Sequence, residues 1–156
     1  MIRLVDAATV RPLRQAVLRP GQDLGAVTFP EDELAAAFHV AEVDGSGRVL
    51  ACATAFPEPF HGDTRAWRLR GMASDVTVRG RGYGAAVLDR ATDEVRTAGG
   101  SLVWCNARLA AAGFYARAGF VSDGAEFTVA GIGPHVVMWT PVGARGERGA
   151  RATGHS

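Results

Sequence analysis

The sequence predicts an α/β layer fold, a mixed β-sheet flanked by helices. Three observations point to it. Short β-rich runs and helical runs alternate along the chain. Two early strands, residues 38–43 and 49–56, flank Asp44-Gly45-Ser46-Gly47, which reads as a hairpin turn, so the sheet opens antiparallel. Later, a strand, a glycine-rich turn and a long helix form a βαβ crossover, which demands a parallel pair. That combination excludes a purely doubly wound sheet.

The elements come in order. Residues 2–5 read as a first strand, and Asp6 can cap the helix after it. Val10, Leu13 and Val17 recur at helical spacing until Pro20-Gly21 stops the pattern. Residues 31–37 read as a second, weaker helix. The loop 57–63 holds two prolines and His61. A fourth strand spans residues 68–75, within a β-like stretch that starts at 66. Gly71 interrupts it, as a bulge or a close backbone approach would. In the helix 83–96, Val87, Leu88, Ala91 and Val95 share one face, and Gly99-Gly100 ends it. Residues 102–105 form a fifth strand and 110–118 a short helix. Residues 120–122 and 127–129 are expected to pair across Asp123-Gly124, and 136–140 is the last strand.

Length and composition bound the rest. A chain of 156 residues with 47% hydrophobic side chains fits one domain with a real core. Residues 1–142 are expected to be that domain. Residues 143–156, rich in Gly, Ala, Arg, Thr and Ser, read as a disordered tail. No apolar run is long enough to span a membrane, and Met1 to Asp6 does not resemble a signal peptide. Cys52 and Cys105 lack metal or disulfide spacing, so buried thiols, no metal and a cytoplasmic location are expected. The net charge of +1 does not suggest nucleic acid. All 17 basic residues are arginine, so no side chain here offers a lysine amine.

The most informative run is Val78-Arg79-Gly80-Arg81-Gly82-Tyr83-Gly84, between the fourth strand and the long helix. Its glycines let the backbone approach a ligand. The helix N-terminus adds unpaired N–H groups and a positive dipole end. Arg79 and Arg81 add full charge. The bland reading is a tight connection; the functional one is a pyrophosphate site.

Arg79-x-x-Gly82-x-Gly84 resembles the signature of the GNAT superfamily of acyl-CoA-dependent N-acyltransferases. Leu102-Val103-Trp104-Cys105-Asn106 is similar to that superfamily's fifth strand. Gly113-Phe114-Tyr115-Ala116-Arg117-Ala118-Gly119-Phe120 is similar to the helix bearing its usual tyrosine. The resemblance implies a central mixed sheet of six to seven strands, splayed between strands four and five. It implies acetyl-CoA as co-substrate and an amine acceptor, and it suggests a homodimer. The segment Gly131-Ile132-Gly133-Pro134-His135 also resembles a bacterial subgroup related to the ElaA proteins.

By that resemblance, Arg79, Gly80, Arg81, Gly82, Tyr83 and Gly84 would grip the pyrophosphate. The backbone of Met72, Ala73 and Ser74 would bind the pantetheine and aim an N–H at the thioester carbonyl. Tyr115 is the candidate general acid for the leaving thiolate. Helical spacing puts Phe114 and Ala118 on the core face and turns Tyr115 toward the cleft; packing alone is the other reading. Asn106 would end strand five, either bonding the CoA chain or capping the turn that begins at Ala107. Asp75, Glu126, His61 and His135 are the candidates for the base. Glu126 and His135, flanking a turn between the last strands, are the pair placed beside the acceptor. A water relay with no dedicated base is the alternative. His39, inside a strand, receives no role, nor does His155.

Two other readings stand beside this one. The chain could bind acyl-CoA without catalysis. Gly80-x-Gly82-x-x-Ala85 also satisfies a dinucleotide fingerprint. That fingerprint expects an acidic residue where Trp104-Cys105-Asn106 stands, and a P-loop is excluded because there is no lysine.

Overall fold

The structure is a computed structural model and describes residues 1–143. The expected disordered tail, His155 included, lies outside the described residues except for Gly143. The chain divides into two compact units. The strands, in chain order, are β1 (Ile2–Val5), β2 (Phe38–Val43), β3 (Val49–Pro57), β4 (Ala66–Ser74), β5 (Leu102–Arg108), β6 (Val121–Val129) and β7 (Gly133–Pro141). They form a seven-stranded mixed sheet in the order β1-β2-β3-β4-β5-β7-β6. The helices are α1 (Ala7–Leu18), α2 (Tyr83–Thr97) and α3 (Ala112–Arg117).

The first unit holds residues Met1–Pro57 and Leu69–Ala91. Asp6 caps α1 by accepting the Thr9 N–H at 2.9 Å, an interaction worth about 1 kcal/mol. The helix then buries Val10 and Leu13 against Ala41, Val43, Cys52 and Ala73. Each such aliphatic side chain contributes about 1.5–3 kcal/mol when fully buried. β1 and β2, and β2 and β3, pair antiparallel, the second pair across the Asp44 turn. Asp44 stabilises that turn by accepting the Ser46 and Arg48 N–H groups. The expected helix at 31–37 is absent; only the short 3-10 turn Pro30–Glu33 overlaps it, and another such turn, Leu24–Val27, precedes it. Asp23 caps the first turn, and Pro30 opens the second.

The second unit holds Glu58–Arg68 and the described chain from Thr92 onward. β4 and β5 run parallel, but their ladder covers only Ala66↔Leu102, Trp67↔Val103 and Arg68↔Trp104. Beyond it β5 continues to Arg108 and pairs antiparallel with β7. Residues 120–122 and 127–129 do not pair with each other. Residues 121–122 and 127–129 both belong to β6, which runs through Asp123-Gly124 and pairs with β7, with a register shift between Asp123 and Phe127. β7 offers nine consecutive residues as partner, and Gly124 at φ +81° lets β6 bulge rather than reverse. No described helix is long and apolar enough to cross a membrane.

Candidate acyl-CoA site

The glycine turn lies wholly in the first unit. Its approach is fixed by Asp75, whose N–H donates to the Leu50 carbonyl at 2.8 Å. The Asp75 carboxylate accepts from the Thr77 side chain and N–H and from Arg48. These bonds, the Thr77 hydroxyl first, hold its pKa down at about 2. Asp75 is therefore ionised and occupied, which suits a structural cap better than a proton acceptor. Gly80 and Gly82 sit at φ +82° and +84°, where any other L-residue is strained. A Cβ at either would meet nothing within 4 Å. Backbone conformation, not crowding, therefore demands glycine, and the space beside the turn is open.

Arg79 and Arg81 are exposed, and neither forms an ion pair among the described residues. α2 starts at Tyr83, and its first bond to the turn runs from the Ala86 N–H to the Gly82 carbonyl at 3.0 Å. The N–H groups before Ala86 are the ones a helix leaves without intrahelical partners. Open glycine backbone, a helix N-terminus and two uncommitted guanidinium groups are the features that suit an anion. Upstream on β4, Gly71 is at φ +65° inside the strand, so the backbone departs from regular pleating just before Met72, Ala73 and Ser74. Ala73 is buried in the α1 core, while Met72 and Ser74 are half-buried.

The same unit contains a polar cluster that periodicity does not reveal. Arg14 is fully buried on α1. It makes a fork with Asp32, Nη1 to Oδ2 at 2.8 Å and Nη2 to Oδ1 at 2.9 Å. Nη1 also donates to the Val27 carbonyl, and Nη2 donates to the Thr54 hydroxyl. Burial pushes the Asp32 pKa up, but hydrogen bonds and charge from Arg14 outweigh it, and the net shift is downward. His39, given no role by the sequence, bonds Thr54 through Nδ1 and the Asp32 carbonyl through Nε2. Burial lowers its pKa despite the nearby carboxylate. The neutral ring therefore carries its proton on Nε2, and Thr54 donates to Nδ1.

In the second unit Tyr115 is placed differently from the helical-wheel expectation. It is 6% exposed, whereas Phe114 is half-buried and Ala118 exposed. α3 is six residues long, so Ala118 lies past its end, and Phe120 packs on the Tyr115 ring at 5.3 Å. The buried Cys105 thiol of β5 is the polar neighbour that acts on the Tyr115 hydroxyl. Burial first, then the thiol, drives the phenol pKa upward, so it holds its proton.

Asn106 does not end its strand; it is exposed within β5 and pairs with Val137. His135 is not in a turn but inside β7, buried, opposite Phe127 on β6. Its Nδ1 lies 2.8 Å from the Gly133 carbonyl and its ring stacks on Phe127 at 5.7 Å. Glu126, in the β6 bulge, is exposed and has no polar partner among the described residues. The remaining candidate base, His61, takes φ +48° and pairs with Asp123 at 2.6 Å. Among the described residues no group of three or more His, Cys, Asp or Glu could hold a metal.

A mixed sheet with one short parallel ladder, and a glycine turn that opens a helix, is the arrangement expected of the acyl-CoA-dependent acyltransferase class. Comparison with known proteins makes this specific. Residues 10–120 match the acetyltransferase (GNAT) family. The chain is 31% identical over 140 residues to the uncharacterized N-acetyltransferase YitI of Bacillus subtilis, covering 88% of this chain and 93% of the relative. Escherichia coli ElaA has a similar structure, with a TM-score of 0.73 at 15% identity, over 89% of this chain and 98% of ElaA. An aminoglycoside 6′-N-acetyltransferase complexed with coenzyme A has a TM-score of 0.70 at 14% identity, over 93% and 98% of the two chains. The chain belongs to the GNAT family and is an acetyl-CoA-dependent N-acetyltransferase.

Proposed function

We propose that the protein transfers the acetyl group of acetyl-CoA to a primary amine by direct attack of the amine on the thioester. The observation that supports this best is the glycine turn with Arg79 and Arg81. In this reading the turn, with Gly80, Gly82, Tyr83 and Gly84, holds the pyrophosphate. The backbone of Met72, Ala73 and Ser74 holds the pantetheine and offers an N–H to the carbonyl oxygen as it gains charge. Asn106 bonds the CoA chain. The amine nitrogen bonds to the carbonyl carbon, and the tetrahedral intermediate expels the CoA thiolate. Tyr115, kept protonated by burial, donates to that thiolate. Glu126 attracts the cationic acceptor, and His135 receives its proton.

Direct attack is favoured over an acetyl-enzyme. Cys52 and Cys105 have pKa values pushed up to about 12 by burial, so neither offers a thiolate near neutral pH. There is no lysine to act instead. The acceptor is identified by incubating the protein with acetyl-CoA and a panel of amines: small alkylamines, aminoglycosides and peptides with free N-termini. The expected result is thiol release dependent on one amine class, with sequential rather than ping-pong kinetics. Tight acetyl-CoA binding with no release across the panel would instead favour a catalytically inactive acyl-CoA-binding domain. By the family resemblance the working form is proposed as a homodimer, which sedimentation would check.

A further inference from the structure

Arg14 is a buried charge that the proposed acetyl transfer leaves unused. A hydrophobic residue of similar size would fill its space without the desolvation penalty of a buried ion. Its guanidinium is nonetheless clamped on one edge by Asp32, the Val27 carbonyl and the Thr54 hydroxyl. The Phe29 ring covers one face, 4.2 Å from the central carbon. The opposite edge, Nε, has no hydrogen-bond partner among the described residues.

That free edge lies against Gly71. A Cβ on Gly71 would come within 2.7 Å of Nε, so only glycine fits beside it. Gly71 is also the β4 residue at φ +65°. Its carbonyl is held from another side by the Cys52 thiol, at 3.6 Å. A planar guanidinium fixed by four donated bonds is a rigid object, unlike a lysine or an aliphatic chain.

We propose that Arg14 is a positioning residue: its clamped guanidinium holds Gly71 in the left-handed conformation and so sets the aim of the backbone at residues 72–74. The proposal rests on the reading of those residues as the pantetheine-binding strand. Thr54 contributes through Arg14, by locking the second nitrogen of the fork.

The test compares two ligands. Acetyl-CoA engages the pantetheine strand and the glycine turn together, whereas 3′-phospho-ADP engages the turn alone. Calorimetry is run well below each variant's melting temperature on Thr54→Val, Arg14→Lys and Gly71→Ala, with Thr54→Ser as the conservative variant. Thr54→Val keeps shape and removes the bond accepted from Arg14 together with the one donated to His39; His39→Gln, which removes only the second, is titrated beside it and should keep wild-type acetyl-CoA affinity. The expected result for Thr54→Val, Arg14→Lys and Gly71→Ala is a loss of acetyl-CoA affinity, roughly tenfold, and a lower kcat. Affinity for 3′-phospho-ADP stays unchanged, and Thr54→Ser restores both losses. Wild-type acetyl-CoA affinity and kcat in folded Thr54→Val and Gly71→Ala would overturn the proposal, as would equal losses for both ligands. If the unaltered protein bound 3′-phospho-ADP as tightly as acetyl-CoA, the pantetheine assignment would be wrong and the proposal would fall with it. If it bound neither, the glycine-turn assignment would be the one refuted.

Discussion

Tyr115 and Arg14 show what a single residue's pattern can and cannot reveal. The segment around Tyr115 resembles a known helix, which marks the residue, but helical spacing misplaces its side chain. A six-residue helix has no two-sided surface, and Phe120 beyond its end closes over the ring. The proposed role still gives a clear expectation. Tyr115→Phe removes the donor and keeps the ring, so kcat should fall by about 10²-fold if general acid catalysis is fully expressed. Acetyl-CoA affinity measured by calorimetry should change little. Unchanged turnover would reduce Tyr115 to a packing residue against Cys105. Arg14 gives no comparable signal, because an arginine beside Leu13 reads as the flank of an amphipathic helix. Its partners Asp32 and Thr54 are 18 and 40 positions away, and periodicity carries nothing about pairs at that separation.

Elements are legible where local chemistry decides them and obscure where a distant partner does. The Asp6 cap and the Asp44 turn are readable because each bonds within a few residues. Asp123-Gly124 is a hairpin signal by itself, yet β7 pairs with both flanks and makes it a bulge. That bulge leaves Glu126 exposed, next in sequence to Phe127, the cross-strand partner of His135. Glu126→Gln and His135→Ala should each impair acetyl transfer to the acceptor while sparing acetyl-CoA binding. If both variants turn over at wild-type rates, the acceptor assignment is wrong and the His61–Asp123 pair is the next to test.

β2 and β3 carry a second expectation, for stability. His39 is neutral when folded, with its pKa lowered chiefly by burial. Below the unfolded histidine pKa of about 6.5, the unfolded chain takes up a proton that the folded chain refuses. Stability is therefore full above that pH and declines as pH falls toward the folded pKa. Asp32 is shifted downward and stays ionised through that window, so it adds no slope there. Denaturant midpoints should drop between about pH 7.5 and pH 5.5, and His39→Gln should flatten the change. A wild-type midpoint independent of pH would show that His39 is not held neutral.

For the whole molecule, the mixed sheet and the crossover are legible from alternation and from one glycine-rich run. The family match over residues 10–120 agrees with that reading. The length of the parallel ladder and the division of the chain into two units are not legible, since both depend on which residues meet after folding. In the proposed function everything depends on the turn at Gly80 and Gly82 holding the phosphates of acetyl-CoA. Gly82→Asp puts a carboxylate at that turn. Gly21→Asp is the matched control, because Gly21 has the same left-handed backbone, φ +81°, and equally open surroundings. The most direct measurement is calorimetric titration of both variants and the unaltered protein with acetyl-CoA and with NADH. Acetyl-CoA should bind the unaltered protein and Gly21→Asp, binding should be lost in Gly82→Asp, and NADH should not bind tightly. Equal acetyl-CoA affinity in all three proteins, or tight NADH binding without acetyl-CoA binding, would contradict that role of the turn.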